Sequence, residues 1–138
     1  MCGIAGIYNL GRNTISNINK YLAVMNNLIS HRGPDGSKSW ISKDKSLGFT
    51  HRRLAIIDLS ENAAQPMIGN DKNVIVFNGE IYNYKELQKE LSNGWDFKSN
   101  SDTEVILAAY NKWGIECLKY LRGMFAFVIW DEKNKKLF

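Results

Sequence analysis

The sequence has 138 residues, of which 44% are hydrophobic and 23% charged, which is typical of one globular domain and excludes a disordered chain. Its 18 Lys and Arg residues outnumber its 14 Asp and Glu residues, but they are scattered, so no nucleic-acid partner is expected. The start lacks the basic and long apolar regions of a signal peptide, and no apolar run approaches the ~20 residues of a membrane span. We therefore expect a cytoplasmic protein without a membrane partner.

Hydrophobic periodicity and turn residues divide the chain into short strands and helices. The expected elements, in chain order, are a strand at 4–8, a helix at 18–29, strands at 38–42, 46–50, 53–58 and 74–77, a helix from Asn83 to Gly94, a helix from Ser101 to about Trp113, a short helix at 115–121 and a buried strand at 124–130. A polar hairpin turn at 131–136 then leads into a partner strand that has only begun at Leu137. Because such a hairpin is incomplete, we expect the 138 residues to be a fragment of a longer protein and poorly soluble alone.

Capping and turn residues give more specific expectations. Ser16 or Asn17 is the expected N-cap of the first helix. Ser101 and Glu104 match the capping box, in which the serine side chain bonds the helix backbone and the glutamate reaches back to the serine N–H. The run at 31–36 holds two glycines and a proline, which demand a tight and specific backbone path.

The cysteine and histidine content argues against a metal site. Cys2 and Cys117 are the two cysteines, and His31 and His51 are the two histidines. Neither a disulfide framework nor a zinc-ligand spacing can be built from them. Cys117 is expected to be a buried structural thiol, His31 part of the turn, and His51 a residue at a strand end.

Cys2 is the most informative residue, because it follows the initiator Met and precedes Gly3. Met is usually trimmed before small side chains, and Cys2 would then carry both a thiol and a free α-amine. The α-amine titrates near ~7.7–8.0 and the thiol near ~8.5, so one residue could supply a base and a nucleophile. A lone cysteine near an N-terminus is more often a small apolar residue, so this reading needs support from elsewhere in the chain.

Six motifs supply that support, in one order along the chain. They are Cys2-Gly3-Ile4-Ala5-Gly6, His31-Arg32-Gly33-Pro34-Asp35, His51-Arg52-Arg53-Leu54-Ala55-Ile56-Ile57-Asp58, Gln65-Pro66, Asn78-Gly79-Glu80-Ile81-Tyr82-Asn83 and Ser101-Asp102-Thr103-Glu104. Over residues 1–138 the chain resembles the N-terminal glutaminase domain of glutamine-hydrolysing asparagine synthetases, which are class II glutamine amidotransferases. The resemblance implies an α+β fold of the N-terminal-nucleophile hydrolase type, a four-layer αββα sandwich of two antiparallel sheets between helices, here truncated at the C-terminus.

The resemblance also implies which residues perform the chemistry. Cys2 would be the nucleophile, with its α-amine as the base. The side-chain amide of Asn78 and the backbone N–H of Gly79 would stabilise the oxyanion, since a single such donor contributes about 10²–10³ in rate. Without the other motifs, Asn78-Gly79 between strands would be read as a plain hairpin turn.

The remaining implied residues bind the amino-acid end of L-glutamine. Arg53 would hold the α-carboxylate, whereas Arg52 is expected to point to the opposite face as surface charge. Asp102, helped by Glu80, would bind the α-ammonium, although an acidic residue in a first helical turn is also favoured by the helix dipole. The backbone around Ile56 and Ile57 would lie beside the substrate.

In the family the ammonia passes to a synthetase domain or subunit that uses ATP and Mg to convert aspartate to asparagine. No phosphate-binding loop occurs in this sequence, so no cofactor is expected in this chain. Three alternatives stay open: a glutaminase that serves a sugar or sugar phosphate, a non-catalytic remnant or regulatory binding module, and an N-terminal-nucleophile peptidase. A homodimer is a further open alternative.

Overall fold

The computed structural model of the chain describes residues 2–54 and 58–138, which form two compact units. Of the described residues, the first unit comprises 2–54 and 64–66, and the second comprises 58–63 and 67–138. Ile56 and Ile57, expected beside the substrate, lie outside the described residues. Within the described ranges no helix is both long and apolar enough to span a bilayer.

The first unit is a three-stranded antiparallel sheet with one helix. Its elements are β1 (Gly3–Tyr8), α1 (Ile18–Leu28), β2 (Gly36–Ile41) and β3 (Leu47–Arg53), and the strand order is β1-β3-β2. Ile18 and Leu22 of α1 are fully buried, and α1 lies against β3 and β1. The helix approaches β3 over Gly48, where a Cβ would lie 2.7 Å from a methyl group of Leu22. A glycine is therefore needed for this packing.

A buried polar network also joins α1 to the sheet. The side-chain amide of Asn26 donates to Thr50 Oγ1 at 2.5 Å and accepts from Ser37 Oγ at 2.8 Å. Ser39 Oγ donates to the same threonine hydroxyl at 2.8 Å. Because Asn26 is 6% exposed, these bonds satisfy an amide that would otherwise be buried at a cost.

The second unit is a four-stranded antiparallel sheet covered on one face by helices. Its elements are β4 (Met67–Ile68), β5 (Val74–Ile81), α2 (Tyr84–Leu91), α3 (Asp102–Trp113), a 3₁₀ helix (Gly114–Lys119), β6 (Gly123–Asp131) and β7 (Lys136–Leu137). The strand order is β4-β5-β6-β7. Ile75, Phe77 and Ile81 of β5 pack in one cluster with Leu87 of α2 and the apolar residues of α3. These residues alternate along β5, so the same alternation sends Asn78 and Glu80 to the other face of the sheet.

Most expected elements are present, but several bounds are wrong. The expected strand at 46–50 runs on to Arg53, whereas Leu54 and Asp58, assigned to a strand at 53–58, lie outside β3. His51 is 2% exposed inside β3, not at its end. The strand expected to end at 77 extends to Ile81, because β6 pairs with it as far as Gly123.

The expected burial of β6 is only half right, since its first five residues alternate between partly buried and exposed. The N-caps predicted for the helices are confirmed only in part. Asn17 occupies the N-cap position of α1 without a side-chain capping bond. Asn83 likewise occupies the N-cap position of α2 without a side-chain capping bond; its amide donates to Tyr120 O at 2.9 Å and accepts from Arg122 N at 3.0 Å. Ser101 does cap α3, through a bond from Thr103 N.

Candidate active site

The sulfur of Cys2 is held by the backbone at the end of β3. β1 pairs with β3 so that Gly3 faces Arg52, which places the preceding residue, Cys2, beside the end of that strand. Leu54 N donates to Cys2 Sγ at 3.3 Å, and the thiol donates to Leu54 O at 3.6 Å. The half-buried thiol therefore has a defined direction, although Cys2 is the residue before the first strand begins.

Arg53 is the last residue of β3 and is braced by the turn at 31–36. Asp35 N donates to Arg53 O at 3.0 Å, and Gly36 pairs with Arg53 across the sheet. Gly33 packs directly on this backbone: a Cβ there would lie 2.5 Å from the carbonyl carbon of Arg53. The tight path predicted for the turn is thus explained by its contact with the strand that carries Arg53.

Arg52 points away from Arg53, as the strand alternation predicts, but it is not a simple surface charge. Arg52 Nε donates to the main-chain oxygen of Asn26 in α1 at 3.0 Å, and the residue is partly buried. Since the helix lies on that face of the sheet, Arg53 projects from the opposite face. The preference for Arg53 over Arg52 as the functional arginine is therefore consistent with the strand geometry.

Asn78 and Gly79 lie inside β5, so they form neither a hairpin turn nor the end of the strand. Asn78 pairs with Ala126 and Gly79 with Phe125 of β6. Gly79 has a φ of 155°, and a Cβ at this position would lie 2.3 Å from Met124 O and 2.6 Å from Phe125 Cα. The backbone of β6 alone therefore requires a glycine at this position.

The hydrogen-bond pattern of the β5–β6 pair shows where the Gly79 N–H points. Tyr82 N donates to Arg122 O at 2.7 Å just beyond the end of β5. Hydrogen-bonded and non-bonded pairs alternate in an antiparallel ladder, so the N–H groups of Gly79 and Ile81 point away from β6. The Ile81 N–H follows this rule, since it donates to Asp102 Oδ2 at 3.0 Å.

On the other side of β5, β4 pairs with Val74 and Ile75, and among residues 2–54 and 58–138 no strand pairs with that edge near Gly79. The Gly79 N–H and the carboxylate of Asp102 face this same edge. Gly79 N and Ile81 N, which donates to Asp102, are two residues apart along the strand, or ~6.6 Å. The edge of β5 therefore presents a hydrogen-bond donor and a carboxylate on the same side.

The amide of Asn78 retains hydrogen-bonding capacity. Its Oδ1 is buried and has no hydrogen-bond partner among the described residues. An unsatisfied buried amide oxygen costs about 1–3 kcal/mol, and in native proteins such groups are uncommon outside functional sites. Asn78 Oδ1 is therefore an acceptor that an N–H or O–H group of a ligand could satisfy.

Asp102 and Glu80 form a pair of carboxylates at the end of β5. Asp102 is the first residue of α3 and is 5% exposed, whereas Glu80 is exposed. Burial raises the pKa of Asp102 above its ordinary value, hydrogen bonds from the Ile81 and Thr103 N–H groups oppose that rise, and the negative charge of Glu80 adds to it. A cation bound here would offset the cost of burying the Asp102 carboxylate and the repulsion between Asp102 and Glu80.

The predicted site residues fall into two groups, one in each unit. Cys2 and Arg53 lie in the first unit, and Asn78, Gly79, Glu80 and Asp102 lie in the second. Sequence reasoning missed the role of Leu54, which contacts Cys2 through its backbone and therefore leaves no side-chain signal. It also assigned Glu104 to the wrong partners, although the capping-box pattern singled it out.

The other titratable residues support the structural roles expected of them. Cys117 is fully buried, and burial raises the pKa of its thiol to about 11. His31 lies in a 3₁₀ turn, Ser30–Arg32. Within residues 2–54 and 58–138 no group of three or more His, Cys, Asp or Glu side chains is arranged to hold a metal ion.

Comparison with known proteins gives a consistent result. A family model described as "Glutamine amidotransferase domain" matches residues 1–138. Asparagine synthetase [glutamine-hydrolyzing] 1 of Bacillus subtilis is 43% identical over 143 residues, which cover 100% of this chain and 22% of that protein. Asparagine synthetase [glutamine-hydrolyzing] 2 of the same organism is 44% identical over 140 residues, covering 100% of this chain and 18% of that protein. The chain thus spans about a fifth of the length of these relatives.

A solved structure shows the fold. Glutamine phosphoribosylpyrophosphate amidotransferase from Bacillus subtilis, determined with ADP and GMP, superposes with a TM-score of 0.71 at 20% identity. The match covers 94% of this chain and 35% of that one. The predicted α+β fold of the N-terminal-nucleophile hydrolase class, with two antiparallel sheets and helices, is confirmed.

Proposed function

The chain belongs to the glutamine amidotransferase domain family, and we propose that it hydrolyses L-glutamine to glutamate and ammonia with Cys2 as the nucleophile. The observation that carries the proposal is the fixed direction of the Cys2 sulfur, which is bonded to Leu54 N and O at the end of β3. A thiol held by backbone groups next to the N-terminus suits a residue that must present both its sulfur and its α-amine to one substrate.

The reaction proceeds through a thioester. The α-amine of Cys2, freed by removal of Met1, accepts the thiol proton while Sγ attacks the side-chain amide carbon of glutamine. The same proton is then delivered to the departing nitrogen, which leaves as ammonia. Water attacks the thioester with the amine as base, which releases glutamate and restores the thiol.

Asn78 and Gly79 stabilise the oxyanion of both tetrahedral intermediates. The support is the orientation of the Gly79 N–H towards the outer edge of β5, with Asn78 directly before it in the same strand. Preorganised donors of this kind act strongly where water is excluded.

Substrate binding uses groups at the other end of glutamine. Arg53 holds the α-carboxylate with its planar fork, and Asp102 with Glu80 holds the α-ammonium. The electrostatic repulsion between the two carboxylates supports this role, because a bound ammonium relieves it. The backbone near Ile56 and Ile57 completes the contact with the substrate.

The ammonia acceptor is a synthetase domain or subunit that makes asparagine from aspartate with ATP and Mg. The names of the two Bacillus relatives support this acceptor over a sugar or sugar phosphate. Because the chain spans only about a fifth of their length, the acceptor, a homodimer and a cytoplasmic location all stay predictions.

The test is glutamate release from L-glutamine by the full-length protein and by its Cys2→Ala variant, with an intact mass to establish that Met1 is absent. We expect release that disappears in the variant. Equal release by both proteins refutes Cys2 as the nucleophile, and a folded, Met1-free protein that releases no glutamate favours the binding-module alternative. Adding aspartate, ATP and Mg then tests the acceptor by asparagine formation.

A further inference from the structure

We propose that Glu104 is a positioning residue for Asp102, acting by tying the segment at 95–99 to the first turn of α3. The inference rests on the proposed function, since it concerns the carboxylate assigned to the α-ammonium of glutamine. It adds a residue that does not touch the substrate but determines where its ammonium partner lies.

The carboxylate of Glu104 collects several hydrogen bonds from the segment that precedes α3. Its Oε1 accepts from Trp95 Nε1 at 3.2 Å and from Lys98 N at 2.9 Å. Its Oε2 accepts from Ser99 N at 2.7 Å and from Ser99 Oγ at 2.6 Å. Glu104 is 5% exposed, and within the described ranges the side chain forms no ion pair. Its charge is therefore balanced by N–H and O–H dipoles alone.

A continuous set of bonds leads from this carboxylate to Asp102. Ser99 Oγ, which donates to Glu104, accepts from Ser101 N at 3.3 Å. Ser101 Oγ accepts from Thr103 N at 3.2 Å and caps the helix. Asp102 lies between those two residues, with its Oδ2 bonded to Ile81 N of β5. The residues on both sides of Asp102 are thus fixed by bonds that begin at Glu104.

Every partner of Glu104 is a donor, which explains why a carboxylate is needed. A carboxylate only accepts, whereas the amide of glutamine carries an NH₂ group that only donates. In either orientation, the Glu104→Gln variant would place that NH₂ group against main-chain or indole N–H groups. The segment at 95–99 would then separate from α3, and Asp102 would lose one of its two supports while keeping its bond to Ile81.

The experiment measures binding in the Cys2→Ala background of the full-length protein, so that no turnover occurs. The two ligands are L-glutamine and glutaramate, which is glutamine without its α-amino group. Asp102→Asn should weaken glutamine binding about tenfold or more and leave glutaramate binding unchanged, because a charge-assisted contact contributes that much affinity. We expect Glu104→Gln to weaken glutamine binding about five- to tenfold, again without affecting glutaramate.

Two further variants separate positioning from general destabilisation. Ile106→Val changes a fully buried residue of the same helix outside the network and should weaken neither ligand. Ser99→Ala removes only the hydroxyl that joins Glu104 to Ser101; it should show the same selective loss in smaller measure, and it replaces Glu104→Gln if that variant does not fold.

Equal weakening of both ligands by Glu104→Gln and Ser99→Ala, or no weakening at all, overturns the inference. The test is separate from that of the proposed function. A protein that binds glutamine with this selectivity but releases no glutamate defeats the hydrolysis proposal and leaves the role of Glu104 standing. If the protein hydrolyses glutamine but Glu104→Gln leaves the preference for glutamine over glutaramate unchanged, the hydrolysis proposal stands and the role of Glu104 is refuted.

Discussion

Replacing Gly79 by alanine should strongly destabilise the protein, because the paired strand leaves no room for a side chain. The added Cβ would lie 2.3 Å from Met124 O and 2.6 Å from Phe125 Cα, well inside an ordinary contact distance of ~3.5–4.0 Å. Both obstacles are backbone atoms of β6, so a side-chain rotation cannot relieve the clash.

Two costs add to give the expected magnitude. Overpacking of this kind costs about 1–3 kcal/mol. A φ of 155° is sparsely populated by residues with a side chain and costs a further ~1–3 kcal/mol. The free energy of unfolding should therefore fall by about 2–6 kcal/mol, a large part of the ~5–15 kcal/mol typical of a domain.

The assay is chemical denaturation of the full-length protein, with Gly94→Ala as the matched control. Gly94 is exposed, and a Cβ there would have Leu91 O at 4.0 Å as its nearest neighbour. The control should stay within about 0.5 kcal/mol of the unchanged protein. A loss of less than about 1 kcal/mol in Gly79→Ala relative to Gly94→Ala would refute the reasoning.

Three other predictions follow from single residues. Asn78→Ala should lower the rate of glutamate release by about 10²–10³ with little loss of stability, since the buried Oδ1 has no partner among the described residues; an unchanged rate would argue against an oxyanion role. Burial raises the pKa of Asp102 above 3.8, so folding favours its protonated form and the free energy of unfolding should fall as pH rises from about 4 through the raised pKa. Asp102→Asn lacks this titration, so its unfolding free energy relative to the unchanged protein should rise over that interval in denaturation curves; a pH-independent difference would contradict the assignment. The buried Cys117 thiol, whose pKa is raised to about 11, should resist iodoacetamide at pH ~8 until the protein unfolds, as peptide mass mapping would show, whereas labelling of Cys117 as fast as Cys2 would contradict its burial.

The elements that could be predicted are those marked by a regular spacing of apolar residues or by a residue that ends a helix. The apolar spacing of α1 and of α2 places Leu22, Leu87 and Leu91 in the core. Gly114, which has a φ of 59°, ends α3 where the sequence indicates. The hairpin after β6 is also marked by neighbouring residues in the sequence. Such signals need no knowledge of the rest of the fold.

The position of Asn78 and Gly79 could not be predicted from local signals. Asn-Gly is a strong turn signal, yet these residues continue β5 because β6, more than forty positions later in the chain, pairs with them. The direction of the Gly79 N–H follows from that pairing alone. The functional role predicted for the pair came from the family resemblance and not from a local pattern.

The capping box shows a second limit of sequence patterns. Ser101 makes its predicted bond, but Glu104 turns to Trp95, Lys98 and Ser99 instead of the N-cap N–H. The pattern identifies which residues end or begin a helix; it does not identify a competing set of donors supplied by the preceding segment. Leu54 is a related case, because it acts through its backbone and its own side chain carries no signal.

The most direct test of the central claim is the identity of the residue that carries the glutamyl group during turnover. The full-length protein is mixed with L-glutamine and quenched in acid within a turnover, and its peptides are mapped by mass spectrometry. A glutamyl thioester on the N-terminal peptide that contains Cys2, absent from Cys2→Ala, is the predicted result. Glutamate release without any adduct on that peptide, or with an adduct on Cys117, would contradict the account.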